Sequence, residues 1–563
     1  MIFGASNRNE PYEFKLYKDG NFVEKLSIFK CSSQNNIFVY ELEMSKDFEF
    51  GHEYSISASD FPMAVIDVTS VTEWKEFDEM FYYDGDDLGS TYSREYTDFV
   101  LWAPLASLVL LKIENSKGDF EFHKLNREEK GIYRRRLLGD HLNQKYHYVI
   151  TNSGVTLETN DPYGKGVSLN SEYSVAIDLS SLEDIKKITP KTLINSYNES
   201  IIYELNVRDF TEDSYTDIEA KGKYLGLAEE NRKTRGGNPA GLDYLKYLEI
   251  TTVQLQPVHD FRGVDDLNTS LSYNWGYDPL SYFALEGSYS INPSDALSRL
   301  KEFKIMISKL HENDIKVNMD VVFNHIYDYQ NSYLERCVPN YYFRRRENGQ
   351  IANASGCGND LKTERKMLRK LIIDSLTYYI KTFDVDGFRF DLMGLLDLKT
   401  ISEAEKLIHK LKKDAMVYGE GWDMFVKSKY TNEFANLKNA SKLPNVAFFN
   451  DSYRNIVRGV GSQAKLEENG FLLGNLAFND GFEFAYRAST VDKVFPHLFV
   501  SYNQSINYVE CHDNATIKDV ISYSTDFTNQ DKIINLFNTV LLLSPGIPFT
   551  KSTGIVLSIN LTT

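Results

Sequence analysis

Ile315–Phe323 reads IKVNMDVVF, and this stretch decides the fold. It is a strand-like run lying between two segments of helix length, Ala296–His311 and Thr363–Lys381, whose apolar residues recur near helical spacing. The same rhythm extends in both directions. Upstream lie the strand candidates Ile201–Val207 (IIYELNV) and Thr252–Pro257 (TVQLQP). Downstream lie Gly387–Asp391 (GFRFD), Met416–Glu420 (MVYGE), Val446–Asn450 (VAFFN), Ile506–Glu510 (INYVE) and Gly546–Phe549 (GIPF), with a further helix candidate at Thr400–Lys413. Eight β units, most followed by a helix, predict a parallel barrel with its helices outside; a doubly wound open sheet is the competing arrangement. The first ~190 residues lack long helical periodicity and carry short β-rich runs: Ile37–Leu42, Phe99–Trp102, Ala106–Ile113 and Tyr146–Thr151. They predict two β-sandwich modules that meet near Tyr83–Leu88 (YDGDDL), where Gly and clustered Asp make a turn. After Gly546–Phe549 the chain runs TKSTGIVLSINLTT, where an eighth helix is expected to cover the last strand.

Composition narrows the function classes. The 563 residues carry 62 Lys plus Arg against 80 Asp plus Glu, a formal charge of −18. Such a chain is a poor partner for phosphate backbones and is repelled by anionic membranes, so neither nucleic acid nor membrane is expected as a partner. No stretch approaches the length of apolar sequence that crosses a bilayer. The start, MIFGASNRNEPYEF, lacks a basic segment followed by an apolar run, and the expected location is cytoplasmic. Cys31, Cys337, Cys357 and Cys511 are scattered and form no CxxC pair, so neither a zinc site nor a disulfide framework is indicated. The chain is rich in Tyr (37) and Phe (35), whose faces suit both cores and sugar-binding clefts.

The chemistry-bearing residues collect at strand ends. Asn324 and His325 close the third strand, Asp391 the fourth, Glu420 the fifth, Asn450 and Asp451 the sixth, and Glu510, His512 and Asp513 the seventh. In a parallel barrel these ends converge on one face. Taken singly, each carboxylate is more often a helix cap or a surface ion pair, Asn324–His325 a loop pair, and Trp422 a core residue. Their joint occurrence on consecutive strands outweighs those separate readings. Clustered like charges push one carboxyl pKa upward and supply a proton donor beside an ionised partner, which is the equipment for glycoside cleavage. Arg389, two residues before Asp391 and so on the same strand face, keeps Asp391 ionised as a nucleophile, or neutralises it structurally.

DVVFNH (Asp320–His325), DGFRFD (Asp386–Asp391), YGEGW (Tyr418–Trp422) and NYVECHDN (Asn507–Asn514) resemble, in order and spacing, the four signature regions of the α-amylase superfamily, glycoside hydrolase family 13. YNWGYDP (Tyr273–Pro279) and Gly356–Lys370 (GCGNDLKTERKMLRK) resemble stretches that mark the type I pullulanases within it, and YELNVRDF (Tyr203–Phe210) looks like that family's first strand. The segment from Tyr83–Ser107 through Asp161–Gly166 is similar to a family 48 carbohydrate-binding module. The resemblance implies a multidomain chain. Residues 1–82 form an N-terminal β-rich module, 83–190 a carbohydrate-binding β-sandwich, and 191–563 a catalytic (β/α)8 TIM barrel lacking its last helix and a C-terminal β-sandwich.

The same resemblance implies a retaining hydrolase that cuts α-1,6-glucosidic branch linkages in pullulan, limit dextrins or glycogen, with a branched α-glucan as its partner molecule. An α-1,4-acting amylase-type hydrolase and a truncated, inactive α-glucan-binding remnant are the alternatives. Asp391 matches the nucleophile, Glu420 the general acid/base, and Asp513 the third carboxylate that holds substrate hydroxyls. His325 and His512 match the histidines that bond the reacting sugar, with Asn324 beside them, and Arg389 matches the arginine that orients the nucleophile. Asp278 with Tyr277 or Tyr273 would meet the non-reducing glucose, and Trp422 would offer it a platform. No cofactor is expected. Some relatives bind calcium, but no loop here has a regular Ca2+ ligand spacing, so no metal is assigned.

Overall fold

The computed structural model describes residues 2–5, 12–34, 37–45, 47–59, 61–191, 194–424, 433–460, 468–491, 496–524 and 529–551. The expectations about the chain after Lys551 fall on 552–563 and lie outside the described residues. The chain forms two units. One is Met1–Gly164 with Tyr173–Ala176 and Tyr329–Tyr342; the other is Lys165–Glu172 with Ile177–Asp328 and Phe343–Thr563.

In the first unit, residues 2–65 make one six-stranded antiparallel sheet. Its long central strand, Asn21–Gln34, pairs with Phe14–Lys18 over one half and with Ile37–Glu43 over the other. Phe14, Leu16, Leu26, Tyr40, Tyr54 and Ile56 are buried together on one face of it. Beyond it, Gly89–Tyr92, Tyr96–Trp102, Ile132–Leu138 and Asn126–Arg127 form one sheet, and Leu108–Glu114, Phe120–Lys124 and Lys145–Asn152 belong to another. Leu108–Glu114 alternates between half-exposed and buried positions, the period of a strand with one face on a core. Phe99 of one sheet meets Tyr146 of the other edge-to-face at 5.0 Å, so the two sheets share that core. Tyr329–Tyr342, which lies between the third and fourth barrel strands in sequence, packs into this unit: Trp102 meets Tyr341 edge-to-face at 5.0 Å.

The second unit is a closed ring of eight strands: Ile202–Leu205, Thr252–Leu255, Lys316–Val321, Gly387–Phe390, Met416–Gly419, Ala447–Phe449, Ser505–Tyr508 and Ile547–Lys551. All adjacent pairs are parallel. The eighth strand closes onto the first with Ile202 opposite Phe549 and Glu204 opposite Lys551, which excludes the open sheet. The helices follow the expected spans closely, at Ser298–Glu312, Lys366–Phe383 and Leu398–Leu411. Ser298–Glu312 buries Leu300, Phe303, Met306, Ile307 and Leu310, an i, i+3, i+4 stripe against the sheet. Leu398–Leu411 starts at Asp397, whose carboxylate accepts the amide of Thr400 at 3.1 Å. No helix among the described residues is long and apolar enough to cross a membrane.

The barrel interior is polar in its middle layer. Gln254 donates to Glu204 at 3.1 Å, Tyr418 donates to Gln254 at 2.9 Å, and Asn318 donates to Tyr418 at 3.3 Å. This layer depends on close strand approach. Gly387 sits opposite Asn318, and a Cβ there would lie 2.5 Å from the Asn318 side-chain oxygen and 2.5 Å from the Met416 carbonyl. Backbone of a neighbouring strand cannot step aside as a flexible side chain can. Gly387→Ala is therefore expected to destabilise the barrel by about 3 kcal/mol, read as a lowered thermal unfolding midpoint. An unchanged midpoint would show that the fourth and fifth strands tolerate separation.

Candidate active site

The ends of the third, fourth and fifth strands meet at the Arg389 guanidinium. Arg389 is fully buried, and its Nη1 donates to both Asp320 oxygens at 2.8 and 2.9 Å and to Asp391 Oδ1 at 2.9 Å. Its Nη2 lies 2.5 Å from Glu420 Oε1. The rings of Tyr277 and Phe449 flank it, each 5.7 Å from the guanidinium carbon. The other oxygen of Asp391 accepts from Asn324 Nδ2 at 2.7 Å, and the other oxygen of Glu420 accepts the Leu392 amide at 3.1 Å. Both carboxylates are thus held on two sides, which fixes their rotamers before any substrate arrives.

One cation among three carboxylates leaves an imbalance, and burial pushes two of the carboxyls toward their protonated forms. Desolvation pushes Glu420 up to about 7; Asp391 and Asp513 add to the effect, while Arg389 and His512 oppose it. Desolvation also pushes Asp320 up to about 6 despite Arg389. The arginine itself stays charged, because the carboxylates around it outweigh the burial that would discharge it.

A second network comes from the first and seventh strands. His512 Nδ1 lies 2.8 Å from Glu204 Oε1, and the His512 amide donates to Glu204 Oε2 at 2.8 Å. Tyr277 stacks on the His512 ring at 4.8 Å, and Trp275 meets that ring edge-on at 5.6 Å. Asp513 follows on the loop, its side chain 54% exposed and its Oδ1 3.8 Å from His512 Nε2. Together Glu204, Arg389, Glu420, Trp422, His512 and Asp513 line a cavity of about 220 Å3, whose wall also includes Phe449, Asp451, Arg454 and Tyr508.

The expected residues are not all used alike. Arg389 joins Asp391 and Glu420, and Glu420, Trp422, His512 and Asp513 share the cavity wall. Trp422 also packs against the buried barrel cluster to which Met416, Tyr418 and Phe449 belong, so it is both wall and core edge. His325 Nδ1 lies 2.6 Å from Asn324 Oδ1 and its Nε2 2.9 Å from the Tyr277 carbonyl. Both ring nitrogens face acceptors inside the protein, while burial holds the ring below the ordinary histidine pKa. Tyr277 gives its hydroxyl to Asp320 at 2.8 Å. Asp278 accepts from Asn274 at 2.7 Å. Tyr273 stands apart, 40% exposed, donating to Asp209 at 2.5 Å.

Two strand-end candidates serve the fold: Asn450 Oδ1 accepts the Tyr453 amide at 3.0 Å at the start of a helix, and Glu510 accepts the Ile517 amide at 2.9 Å. Glu204, Asp320 and Trp275 were not singled out from the sequence, although each lies in a quoted motif. Their signal was an inward-facing carboxylate on a strand, or an aromatic ring beside the tyrosines of YNWGYDP. Among the described residues no three His, Cys, Asp or Glu side chains are grouped to hold a metal ion.

Comparison with known proteins bears on the family of the chain. Residues 236–354 match the alpha amylase catalytic domain, and residues 87–164 match carbohydrate-binding module 48, the isoamylase N-terminal domain. The pullulanase of Bacillus subtilis strain 168 is 37% identical over 506 residues, covering 89% of this chain and 70% of that protein. Pullulanase 1, chloroplastic, of Arabidopsis thaliana is 28% identical over 579 residues, covering 84% and 58%. Among solved structures, the pullulanase of Anoxybacillus sp. LM18-11 complexed with maltotriose superposes with a TM-score of 0.92 at 37% identity, over 98% of this chain and 78% of that one. The type I pullulanase of Bacillus subtilis complexed with maltose gives 0.89 at 35% identity, over 96% and 75%. A buried arginine gathering carboxylates at the strand ends of a barrel, in a chain this similar to those proteins, has one family explanation: the chain belongs to the type I pullulanases of glycoside hydrolase family 13.

Proposed function

We propose that this chain hydrolyses α-1,6-glucosidic branch linkages in pullulan, limit dextrins or glycogen with retention of configuration. The observation that carries the reading is the Arg389 cluster, in which one carboxylate is held by donors on both oxygens and its neighbour has a pKa pushed up to about 7. Asp391 attacks the anomeric carbon and forms a β-glycosyl ester. Glu420 delivers its proton to the departing glycosidic oxygen and then removes one from the water that cleaves the ester. Arg389 holds Asp391 in place through the bond to its Oδ1. Asp513, at the open rim, accepts hydroxyl bonds from the same sugar as its ring flattens toward the oxocarbenium-like state. His512 donates to that sugar from below, and Trp422 offers its CH faces an apolar wall. The relatives solved with maltotriose and maltose bind linear α-glucan pieces, and a branched polymer presents such pieces on both sides of the scissile bond.

The reaction class is tested by products. Maltotriose released from pullulan is the expected result; cleavage of amylose with pullulan untouched would replace the debranching assignment with an α-1,4 one.

Asp391→Asn preserves shape and removes the attacking charge. Turnover is expected to fall by several orders of magnitude while glucan binding, measured by affinity electrophoresis or calorimetry, is retained. Activity within tenfold of the parent would remove Asp391 from the nucleophile's role.

Glu420 must reach the substrate protonated, and its pKa is raised above that of an ordinary carboxyl, so hydrolysis of glucans should fall as pH rises through about 7. Glu420→Gln should block natural glucans yet spare the first step on substrates whose leaving group needs no proton. Equal losses on both substrate types would show that Glu420 is not the acid.

A further inference from the structure

Two donors and one imidazole nitrogen converge on the Glu204 carboxylate of the first strand. Oε1 accepts from Gln254 Nε2 at 3.1 Å and faces His512 Nδ1 at 2.8 Å, and Oε2 accepts the His512 backbone amide at 2.8 Å. Gln254 is itself fixed, its oxygen accepting from Tyr418 at 2.9 Å. The Gln254 amide and the His512 backbone N–H each occupy one oxygen of Glu204 as an acceptor, and although burial opposes its charge, His512 holds its pKa low, so Glu204 is ionised and faces a protonated Nδ1. Tyr277 stacked on the imidazole and Trp275 at its edge leave the ring one plane to lie in. With Nδ1 turned down to Glu204, the opposite nitrogen, Nε2, lies on the Asp513 side, 3.8 Å from Asp513 Oδ1.

We infer that Glu204 is a positioning residue that locks His512 as a doubly protonated imidazolium, with Nε2–H presented to the reacting sugar. The inference rests on the hydrolytic reading of this site and adds to it the partner that sets the charge and tautomer of its histidine. Titratable and charged neighbours surround that ring, most of them acidic. Glu204 stands on the first strand, Tyr277 on the loop after the second, Asp320 on the third, Arg389 and Asp391 on the fourth, Glu420 on the fifth, and Cys511 and Asp513 flank the histidine itself. Lys551 of the eighth strand acts on Glu204. Burial alone would discharge His512, but Glu204 and Asp513 outweigh it and Arg389, and the ring is pushed up to about 9. Burial likewise opposes ionisation of Glu204, yet His512, Arg389 and Lys551 hold it below the ordinary glutamate range. The sign follows: His512 keeps its extra proton at every pH below about 9, so its donor is in place throughout the neutral range. The positive ring also restrains the rise of the Glu420 pKa.

Glu204→Gln removes the charge and leaves one oxygen and one amide group to meet three donors. Two measurements test the inference. In the unsubstituted protein, 15N NMR of histidine-labelled material should show the His512 ring doubly protonated at pH 7, assigned by its loss in His512→Asn, and titrating near pH 9. A neutral ring at pH 7 would overturn the inference without any Glu204 variant having to fold. The second measurement follows kcat/KM for an α-maltotriosyl fluoride, whose leaving group needs no proton from Glu420, so its alkaline limb reports His512. In Glu204→Gln that limb and the His512 titration are expected to move down together by about two pH units. A limb and a titration that both stay in place would overturn the inference. Should the unsubstituted chain cleave neither glucan nor the fluoride, the hydrolytic reading fails, while the NMR titration still decides the Glu204–His512 lock.

Discussion

The Arg389 guanidinium is the interaction on which the rest of the site depends. A fully buried cation is tolerated only where anions and hydrogen bonds replace its water, and stripping one partner from such a pair costs about 3–5 kcal/mol. Asp320, Asp391 and Glu420 supply that replacement from three consecutive strands. The arginine therefore ties strand register to carboxylate position: shifting any of the three strands by one residue would turn a partner to the opposite face of the sheet. The same contact that stabilises the barrel mouth places the two candidate catalytic carboxyls, Asp391 and Glu420, around one charge.

Too few cations for too many carboxylates is what makes the site reactive. With Arg389 shared three ways, burial can still hold Glu420 and Asp320 toward their protonated forms, while Asp391 keeps a donor on each oxygen. Glu204 and His512 form a second pair that also lines the cavity. The two networks touch through Tyr277, which gives its hydroxyl to Asp320 and its ring face to His512. A neutral sugar thus meets carboxylates, an imidazole and aromatic walls that already hold one another in place. This agrees with binding through hydroxyl bonds and CH faces rather than through net charge.

Much of this was legible in the chain. All eight barrel strands lie within a residue or two of the runs read from IKVNMDVVF outward, because buried parallel strands leave near-continuous apolar runs between amphipathic helices. Asp391, Glu420, His512 and Arg389 stood out as polar residues at strand ends, and the structure gathers them. Asn450 and Glu510 stood out by the same rule and instead cap helices, since a strand-to-helix turn needs an acceptor whether or not chemistry happens there. Tyr273 and Tyr277 carried equal weight in YNWGYDP, yet one turns outward to Asp209 and the other inward to Asp320.

The sequence by itself determined the succession of β and α units, the family, and the strand ends where carboxylates occur, because these are set by local periodicity and by residues a few positions apart. Tertiary structure alone decided which partners those residues take. Glu204 and His512 are 308 positions apart and meet only because the eighth strand closes on the first and brings the ends of the first and seventh to one mouth. Asp320 looks like one more strand residue until the third and fourth strands align it with Arg389. Proton affinity follows the same division. A group's intrinsic pKa belongs to its chemistry, but the rise at Glu420 comes chiefly from burial inside the barrel, and at His512 it comes, against burial, chiefly from Glu204 on another strand; neither is contained in a short stretch of chain.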